Sequence, residues 1–321
     1  MDVALIAFGL GVGVLVGMTG IGGGSLMTPM LILVFGVTPV TAIGTDLAYA
    51  AVTKTVGGYK HWRQRTVDLR LSTWMALGSV PAAVGGVYVL TLLEDWAGRD
   101  FDDLLLTILA VALLVTGAAT LVRAFLKRMH EREREGIDLR RRHKVAAVVL
   151  GVCVGFVLGV TSAGSGALIA VGLILLFRLV PTRVVGTDVF HAAILLWAAG
   201  IAHMVAGNVD FGLVGTILLG SVPGVWLGSH WSVRVEPAVL RTTLAVVLIG
   251  AGLGLLIKAG LDLPIAVIVP FPVAVAAVLV YTIMRDRRAR ARRLAAAAAA
   301  RARRPSAAPR PEAESSISAG P

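Results

Sequence analysis

Two aspartates and a histidine lie inside long apolar stretches of the sequence. Asp46 and Asp188 each follow a Gly-Thr pair, and His191 comes three residues after Asp188, which on a helix places the two on one face. A charged side chain in mid-membrane costs about 2.5 to 3.5 kcal/mol, so ionisable residues there are functional candidates. Each of the three could pass a proton, and we take all three as candidates for proton coupling. Alternatively, either aspartate is an N-terminal helix cap and His191 is a hydrogen-bonded structural residue.

Two glycine-rich stretches, residues 17–24 and 159–166, interrupt apolar runs and suggest anion binding. Glycine lets the main chain turn and approach a ligand closely. Helices that start near Gly24 and Gly166 would present free N–H groups to an anion, and hydroxyl side chains would add donors. The predicted substrate-binding residues are Thr19, Gly20, Gly22, Gly23, Gly24, Ser25, Thr45, Thr161, Ser162, Gly164, Ser165, Gly166 and Thr187. Alternatively, the glycines only allow helices to cross closely.

Other chemistries find little support in the residues. The single cysteine, Cys153, allows no intramolecular disulfide and no cysteine-based metal site. His130-Glu131 lacks the second histidine of a zinc-protease motif, and no phosphate-binding loop with Lys-Ser/Thr is present. We therefore expect no metal, no cofactor, no catalytic residue and no enzymatic activity.

The composition indicates a membrane protein. Of the 321 residues, 57% are hydrophobic and 15% are charged, with a mean hydropathy of +0.84, whereas about 25% charged residues is usual in soluble domains. Residues 145–177 carry no charged side chain and exceed the roughly 20 apolar residues that cross a bilayer. A soluble nucleic-acid-binding domain is excluded despite the net charge of +11. The expected partners are the lipid bilayer, a small anion and, as a candidate, a second copy of the chain.

Apolar runs between charged or Gly/Pro punctuation predict the membrane segments. They are 4–18, 24–36, 40–59, 70–93, 103–126, 145–159, 166–180, 184–206, 210–231, 239–257 and 263–284. Four of them, 4–18, 24–36, 145–159 and 166–180, are short for a full crossing. Each short pair flanks a glycine-rich stretch, so we expect hairpins or broken helices there.

The distribution of lysine and arginine predicts the orientation. If the hairpins return to the side on which they start, 27 of the 30 basic residues fall on one face. An excess of basic residues marks the cytoplasmic side. We therefore expect a multi-pass protein of the cell membrane with its N-terminus outside and its C-terminus in the cytoplasm.

The sequence also contains an internal repeat at an offset of 142 residues. Residues 11–86 and 153–228 share 28 identical pairs out of 76 without a gap. Matching elements include Gly44-Thr45-Asp46 with Gly186-Thr187-Asp188, and Gly78-Ser-Val-Pro81 with Gly220-Ser-Val-Pro223. The Val-Asp pair of the first copy lies in a basic loop, and that of the second lies in a loop without basic residues. The two copies therefore face opposite sides, which is typical of secondary transporters with interrupted helices.

These motifs resemble the sulfite exporter TauE/SafE family, also called the 4-toluene sulfonate uptake permease family. The resemblance rests on the two glycine-rich hairpins, each followed by a Pro and then Gly-Thr-Asp, and it covers about residues 3–257. In the second copy, Ser165 replaces a glycine and Val171 stands where Pro29 stands in the first. The resemblance implies a multi-pass plasma-membrane permease for sulfur-containing or other small organic anions.

We thus expect an all-α polytopic membrane protein with two inverted repeats. The predicted parts are a first repeat at 3–126, a basic cytoplasmic linker at 127–144, a second repeat at 145–257, an additional transmembrane helix at 263–284 and a basic, partly disordered cytoplasmic tail at 285–321. The expected function is alternating-access transport of a small anion such as sulfite, thiosulfate or a sulfonate, with proton coupling as an option. The alternatives are a passive anion channel or a membrane-embedded enzyme.

Overall fold

The computed structural model describes residues 3–19, 24–126, 139–231 and 237–261, which are helical almost throughout and contain no β-strand. The helices are α1 (Val3–Thr19), α2 (Gly24–Leu33), α3 (Pro39–Arg63), α4 (Leu69–Ala97), α5 (Phe101–Leu126), α6 (Arg141–Thr161), α7 (Leu168–Phe177), α8 (Pro181–Val205), α9 (Phe211–Trp231) and α10 (Pro237–Lys258). A 3-10 turn, Gly98–Asp100, joins α4 to α5. The predicted segments up to 257 agree with these helices to within four residues. The predictions for 263–284 and 285–321 lie outside the described residues.

Repeated sequence signals start equivalent helices. Pro39 and Pro181 each lie in the first turn of a long helix, α3 and α8, where the missing N–H of proline has no cost. Asp68 Oδ1 accepts a hydrogen bond from Leu71 N at 3.1 Å at the start of α4, and Asp210 Oδ1 accepts one from Leu213 N at 3.0 Å at the start of α9. The aspartates of the two Val-Asp pairs therefore cap the N-termini of α4 and α9.

Four helical segments in the described part of the chain are long and apolar enough to cross a bilayer. They are 69–121, which joins α4 and α5, followed by 141–161, 181–205 and 211–228. The expectation that segment 145–159 is too short is wrong, because α6 starts earlier, at Arg141, and has 21 residues. Helices α2 and α7, with 10 residues each, are short as predicted, since a crossing takes about 20 residues.

The helices pack in pairs, and the two repeats contribute equivalent helices to each pair or to matching pairs. Helix α1 lies against α9 and α4 lies against α6, while α3 packs on α8 and α5 packs on α10. The offset of 142 residues makes α1 equivalent to α6 and α4 equivalent to α9. Each close pair thus combines one helix from each half of the chain, and a shared apolar core joins the halves.

Glycines set the distance within two of these pairs. A Cβ atom on Gly13 in α1 would lie 2.4 Å from the carbonyl oxygen of Ser221 in α9. At the equivalent contact, a Cβ atom on Gly155 in α6 would lie 2.3 Å from the carbonyl oxygen of Ser79 in α4. The main chains therefore approach each other more closely than any other residue type would permit, as small residues allow in membrane helices.

Candidate functional site

The carboxyl group of Asp46 is the centre of a buried polar cluster. Asp46 is the eighth residue of α3, about two turns after the helix begins. Its side chain is 0% exposed. The N-cap of α3 is Thr38 and that of α8 is Val180. The alternative that Asp46 or Asp188 caps its helix is therefore wrong. Asp188 is also buried, at 2% exposure, so both aspartates lie in the protein interior.

Two hydroxyl groups from different parts of the chain meet at Asp46. Thr28 Oγ1, from the short helix α2, lies 2.6 Å from Asp46 Oδ2, and Ser162 Oγ, from the turn after α6, lies 2.8 Å from the same oxygen, both within hydrogen-bond distance. The two hydroxyl oxygens are themselves only 2.6 Å apart. We call these three residues the hydroxyl–carboxyl ring. It joins elements of both repeats, and all three members are buried.

The ring occurs only once although the sequence repeats. At the offset of 142 residues, Asp188 corresponds to Asp46, but Ala170 corresponds to Thr28 and Gly20 to Ser162. Neither Ala170 nor Gly20 has a hydroxyl group. The two hydroxyl groups of the ring therefore have no counterpart at the equivalent positions of the other repeat.

The break between α6 and α7 positions Ser162. Helix α6 ends at Thr161, and residues 162–167 form a buried turn before α7 begins at Leu168. Ser162 adopts the left-handed conformation with φ of 57°, and Gly164 has φ of 100°, values that are uncommon for residues other than glycine. Irregular main chain at membrane depth is tolerated where it is buried in protein or lines a cavity. The turn at 162–167 is buried in protein.

The other predicted residues of the two breaks contribute local contacts. Ser25 Oγ accepts a hydrogen bond from Gly164 N at 3.4 Å, which links α2 to the turn. Thr161 Oγ1 donates to Val157 O at 2.6 Å, and Ser165 is 4% exposed. Helix α7 was predicted to start near Gly166, and it starts two residues later, at Leu168.

The first break is described only at its edges. Thr19 ends α1 and Gly24 begins α2, at the predicted helix start. The predicted site residues Gly20, Gly22 and Gly23 lie outside the described residues.

The two threonines of the Gly-Thr-Asp motifs bind the opposite half of the chain. Thr187 Oγ1 accepts a hydrogen bond from Asp68 N at 2.9 Å, and Thr45 Oγ1 accepts one from Asp210 N at 3.1 Å. The glycine before each threonine also lies against the opposite loop. A Cβ atom on Gly44 would lie 2.3 Å from Asn208 O. The motif thus joins the two halves, and substrate binding by Thr45 and Thr187 stays a prediction.

His191 occupies a second buried polar position, on α8. It is 0% exposed, and its Nε2 atom lies 3.2 Å from Ser79 Oγ on α4. The equivalent residues are Tyr49 and Ser221, which lie beside each other and are also buried. The two halves therefore place different polar pairs at equivalent positions.

His203 is a structural histidine. Its Nε2–H donates to Gly159 O at 2.9 Å, and its Nδ1 accepts from Asn208 Nδ2 at 3.1 Å. The first contact holds the end of α6 to the end of α8, and the second holds the loop after α8 to the same ring.

Sequence reasoning missed three of the polar residues. Thr28, Ser79 and Ser221 are buried, but none was among the predicted site residues. Ser79 and Ser221 belong to the identical Gly-Ser-Val-Pro motifs, which was a usable signal. Thr28 had none, because the repeat places Ala170 at the equivalent position. Within the described ranges, no three His, Cys, Asp or Glu side chains are grouped so that they could hold a metal ion.

Comparisons with known proteins identify the family. The family model of the sulfite exporter TauE/SafE matches residues 5–255. The chain is 39% identical over 256 residues to the probable membrane transporter protein YjnA of Bacillus subtilis (strain 168), which covers 80% of this chain and 100% of YjnA. It is 29% identical over 257 residues to the probable membrane transporter protein YdhB of the same organism, with 80% and 100% covered. No solved structure matches the chain.

The resemblance noted from the sequence motifs is thereby confirmed. A match over most of the chain, together with apolar helices long enough to span a bilayer, indicates a multi-pass protein with a role in transport. The chain belongs to the sulfite exporter TauE/SafE family of membrane transporters.

Proposed function

We propose that this protein is a secondary transporter that moves a small anion across the cell membrane by alternating access. The proposed substrates are sulfur-containing anions such as sulfite, thiosulfate or a sulfonate. The family description, sulfite exporter, supports this substrate class. The chain carries no nucleotide-binding loop, so the energy would come from a gradient of the anion or of a coupling ion.

One observation carries the proposal, namely the buried break between α6 and α7 that meets α2 and α3 of the other half. Interrupted helices that face each other at the interface of two repeats form the substrate sites of many secondary transporters. Ser162 and Gly164 of the break contact Asp46 and Ser25 of the first half. A movement of the break against α2 and α3 would change these contacts.

The proposed architecture is a pair of inverted repeats. The exchange of partners in the helix pairs α1–α9 and α4–α6 supports two equivalent halves. The charge distribution supports the inversion, with the N-terminus outside and the C-terminus in the cytoplasm. In this arrangement the loop before α4 is cytoplasmic and the equivalent loop before α9 is external.

The anion is proposed to bind at the breaks, where main-chain N–H groups and hydroxyl side chains replace its water shell. The N-termini of α2 and α7 would direct their positive dipole ends towards it. Asp46, Asp188 and His191 are the proposed sites for a coupling proton. Their burial supports this role, because ionisable groups in a membrane interior commonly lie on proton or substrate pathways.

The experiment is a flux screen in proteoliposomes with sulfite, thiosulfate, a sulfonate and a carboxylate of similar size. We expect at least one sulfur anion to enter faster than it enters protein-free liposomes. Uptake of none of them above that background would overturn the proposal.

A pair of glycine variants tests the position of the site. Gly164 and Gly260 have φ of 100° and 85°, so alanine strains the main chain at both. At Gly164 the added Cβ atom would lie 2.7 Å from Leu168 Cδ1, whereas at Gly260 no atom lies within 4 Å of the added Cβ. We expect Gly164→Ala to lose most of the flux and Gly260→Ala to keep it. Equal flux in the two variants would contradict a site at the break.

A further inference from the structure

The hydroxyl–carboxyl ring contains more short oxygen contacts than its hydroxyl hydrogens can fill. The three distances among Thr28 Oγ1, Ser162 Oγ and Asp46 Oδ2 are 2.6, 2.6 and 2.8 Å. All three match the usual length of an O–H···O hydrogen bond. Each such bond needs one hydrogen, and each hydroxyl group supplies one. Two hydroxyl groups therefore fill two edges of the triangle.

An ionised Asp46 would leave the third edge without a hydrogen. Two oxygen atoms would then face each other with lone pairs at hydrogen-bond distance, which is repulsive. A proton on Asp46 Oδ2 removes the conflict, because the carboxyl group then donates to one hydroxyl while it accepts from the other. The three hydrogens run around the ring in one direction, and every edge is a hydrogen bond.

The surroundings of Asp46 favour the same protonation state. Asp46 is fully buried, and its other carboxyl oxygen, Oδ1, has no hydrogen-bond partner in the described part of the chain. Burying an ionised carboxylate without a cationic partner costs several kcal/mol, and such groups take up a proton instead. A neutral acid leaves only a carbonyl-like oxygen without a partner, which costs far less.

Titratable or charged side chains lie on α3 and on the helices that pack against it. On α3 itself they are Tyr49, which interacts electrostatically with Asp46, and Lys54, Tyr59, Lys60, His61 and Arg63. Helices α2, α5, α8 and α9 pack against α3, and α2 and the turn 162–167 contain no titratable side chain. The described titratable or charged side chains on the other three helices are Asp102, Asp103, Arg183, Asp188, His191, His203 and His230. Asp46 interacts with the two hydroxyl groups and with the main-chain N–H of Thr28, and among described residues it has no ion-pair partner.

We propose that Asp46 is a proton-binding site, in which the bound proton closes the ring with Thr28 and Ser162 and thereby joins the two halves of the transporter. This inference rests on the proposed transport function and selects one of its three candidates for the coupling proton. The proton is bound while Ser162 lies against Asp46. When Ser162 moves away from Asp46, the ring opens, water reaches the carboxyl group, and the proton passes to water. Asp188 does not share this role, because Ala170 and Gly20 stand at the positions of the two hydroxyl groups.

The proton at Asp46 can be observed without any transport. Infrared spectra of the purified full-length protein in nanodiscs, recorded near neutral pH in H₂O and D₂O, show the C=O stretch of protonated carboxyl groups. We expect such a band in the wild type, and we expect Asp46→Asn to lose one carboxyl group's share of it. Asp68→Asn is the matched control, since Asp68 is a helix cap and asparagine caps equally well. The band should be unchanged in that variant.

Two results would overturn the proposal: no protonated-carboxyl band in the wild type, or the same band intensity in Asp46→Asn. If Asp46→Asn does not fold, Thr28→Val provides the test, because it keeps the carboxyl group and removes two of the three edges of the ring. The band should then move in frequency, and an unmoved band would contradict the ring.

The outcome is separate from that of the flux screen. If the protein transports an anion while Asp46 is ionised, the proposed function stands and the proton site at Asp46 is wrong. If Asp46 is protonated but no anion is transported, the proton site stands and the proposed function is wrong.

Discussion

The close contact between α1 and α9 makes a quantitative prediction for two glycines of the same helix. A Cβ atom on Gly13 would lie 2.4 Å from Ser221 O and 2.7 Å from Ser221 Cα, both main-chain atoms that cannot rotate away. At Gly11, two residues earlier, nothing lies within 4 Å of the added atom. Gly13→Ala must therefore push α1 away from α9, whereas Gly11→Ala fills open space at the surface.

The expected sizes follow from these contacts. Alanine in place of glycine inside a helix gains about 0.8 to 1 kcal/mol from propensity at either position. Overpacking at Gly13 costs about 1 to 3 kcal/mol, and sometimes more. Gly13→Ala should therefore be less stable than Gly11→Ala by about 1 to 3 kcal/mol.

The assay is the free energy of unfolding of each purified variant, measured by titration with a denaturing detergent against a mild one. The wild type should lie between the two variants or close to Gly13→Ala. If Gly13→Ala were as stable as Gly11→Ala, the close packing of α1 on α9 would be wrong, and with it the exchange of helix pairs between the halves.

Two further predictions test the inversion and the joint between the halves. In a Cys153→Ala background, single cysteines at Gln64 and Ala206, which are equivalent exposed positions in the loops before α4 and α9, should react with an impermeant thiol reagent from opposite sides of the membrane. Labelling of both from one side would refute the inverted arrangement. Thr45→Val and Thr187→Val each leave a main-chain N–H without its acceptor, so each should lower the free energy of unfolding by about 1 to 3 kcal/mol. The corresponding serine variants keep the hydroxyl group and should stay near the wild type, and valine variants as stable as these would show that the bonds contribute nothing.

The helices were largely predictable from the sequence because apolar length and Gly/Pro punctuation determine where membrane helices begin and end. Pro39 and Pro181 mark the starts of α3 and α8. The start of α6 was missed by four residues because Arg141 and Lys144 are charged. Long basic side chains can extend from the end of a membrane helix towards water, so charge does not end the helix there.

The polar site was predictable only in part. Burial of Asp46, Asp188 and His191 could be inferred from their place in apolar runs, and it agrees with the structure. The partners of these residues could not, since they depend on contacts between segments more than 100 residues apart, such as Ser162 with Asp46. Periodicity and motifs report local structure, whereas the ring depends on how α2, α3 and the α6–α7 turn meet.

The Gly-Thr-Asp motif has a structural role that its repetition did not reveal. Substrate binding by Thr45 and Thr187 stays a prediction. In the structure both hydroxyl groups accept main-chain hydrogen bonds from the opposite half. A motif that occurs in both copies can thus form contacts between the copies. Thr28 and Ser162, which have no hydroxyl-bearing counterparts in the other copy, surround the carboxyl group of Asp46.

The most direct test of the central claim, that a small anion is carried by alternating access, is a counterflow measurement in proteoliposomes. Vesicles loaded with an unlabelled sulfur-containing anion are diluted into a trace of the same anion in labelled form. A carrier that exposes one site to each side in turn predicts transient accumulation of label inside, driven by exit of the unlabelled anion. Label that only equilibrates, at a rate independent of the internal anion, would show an open channel and contradict the account.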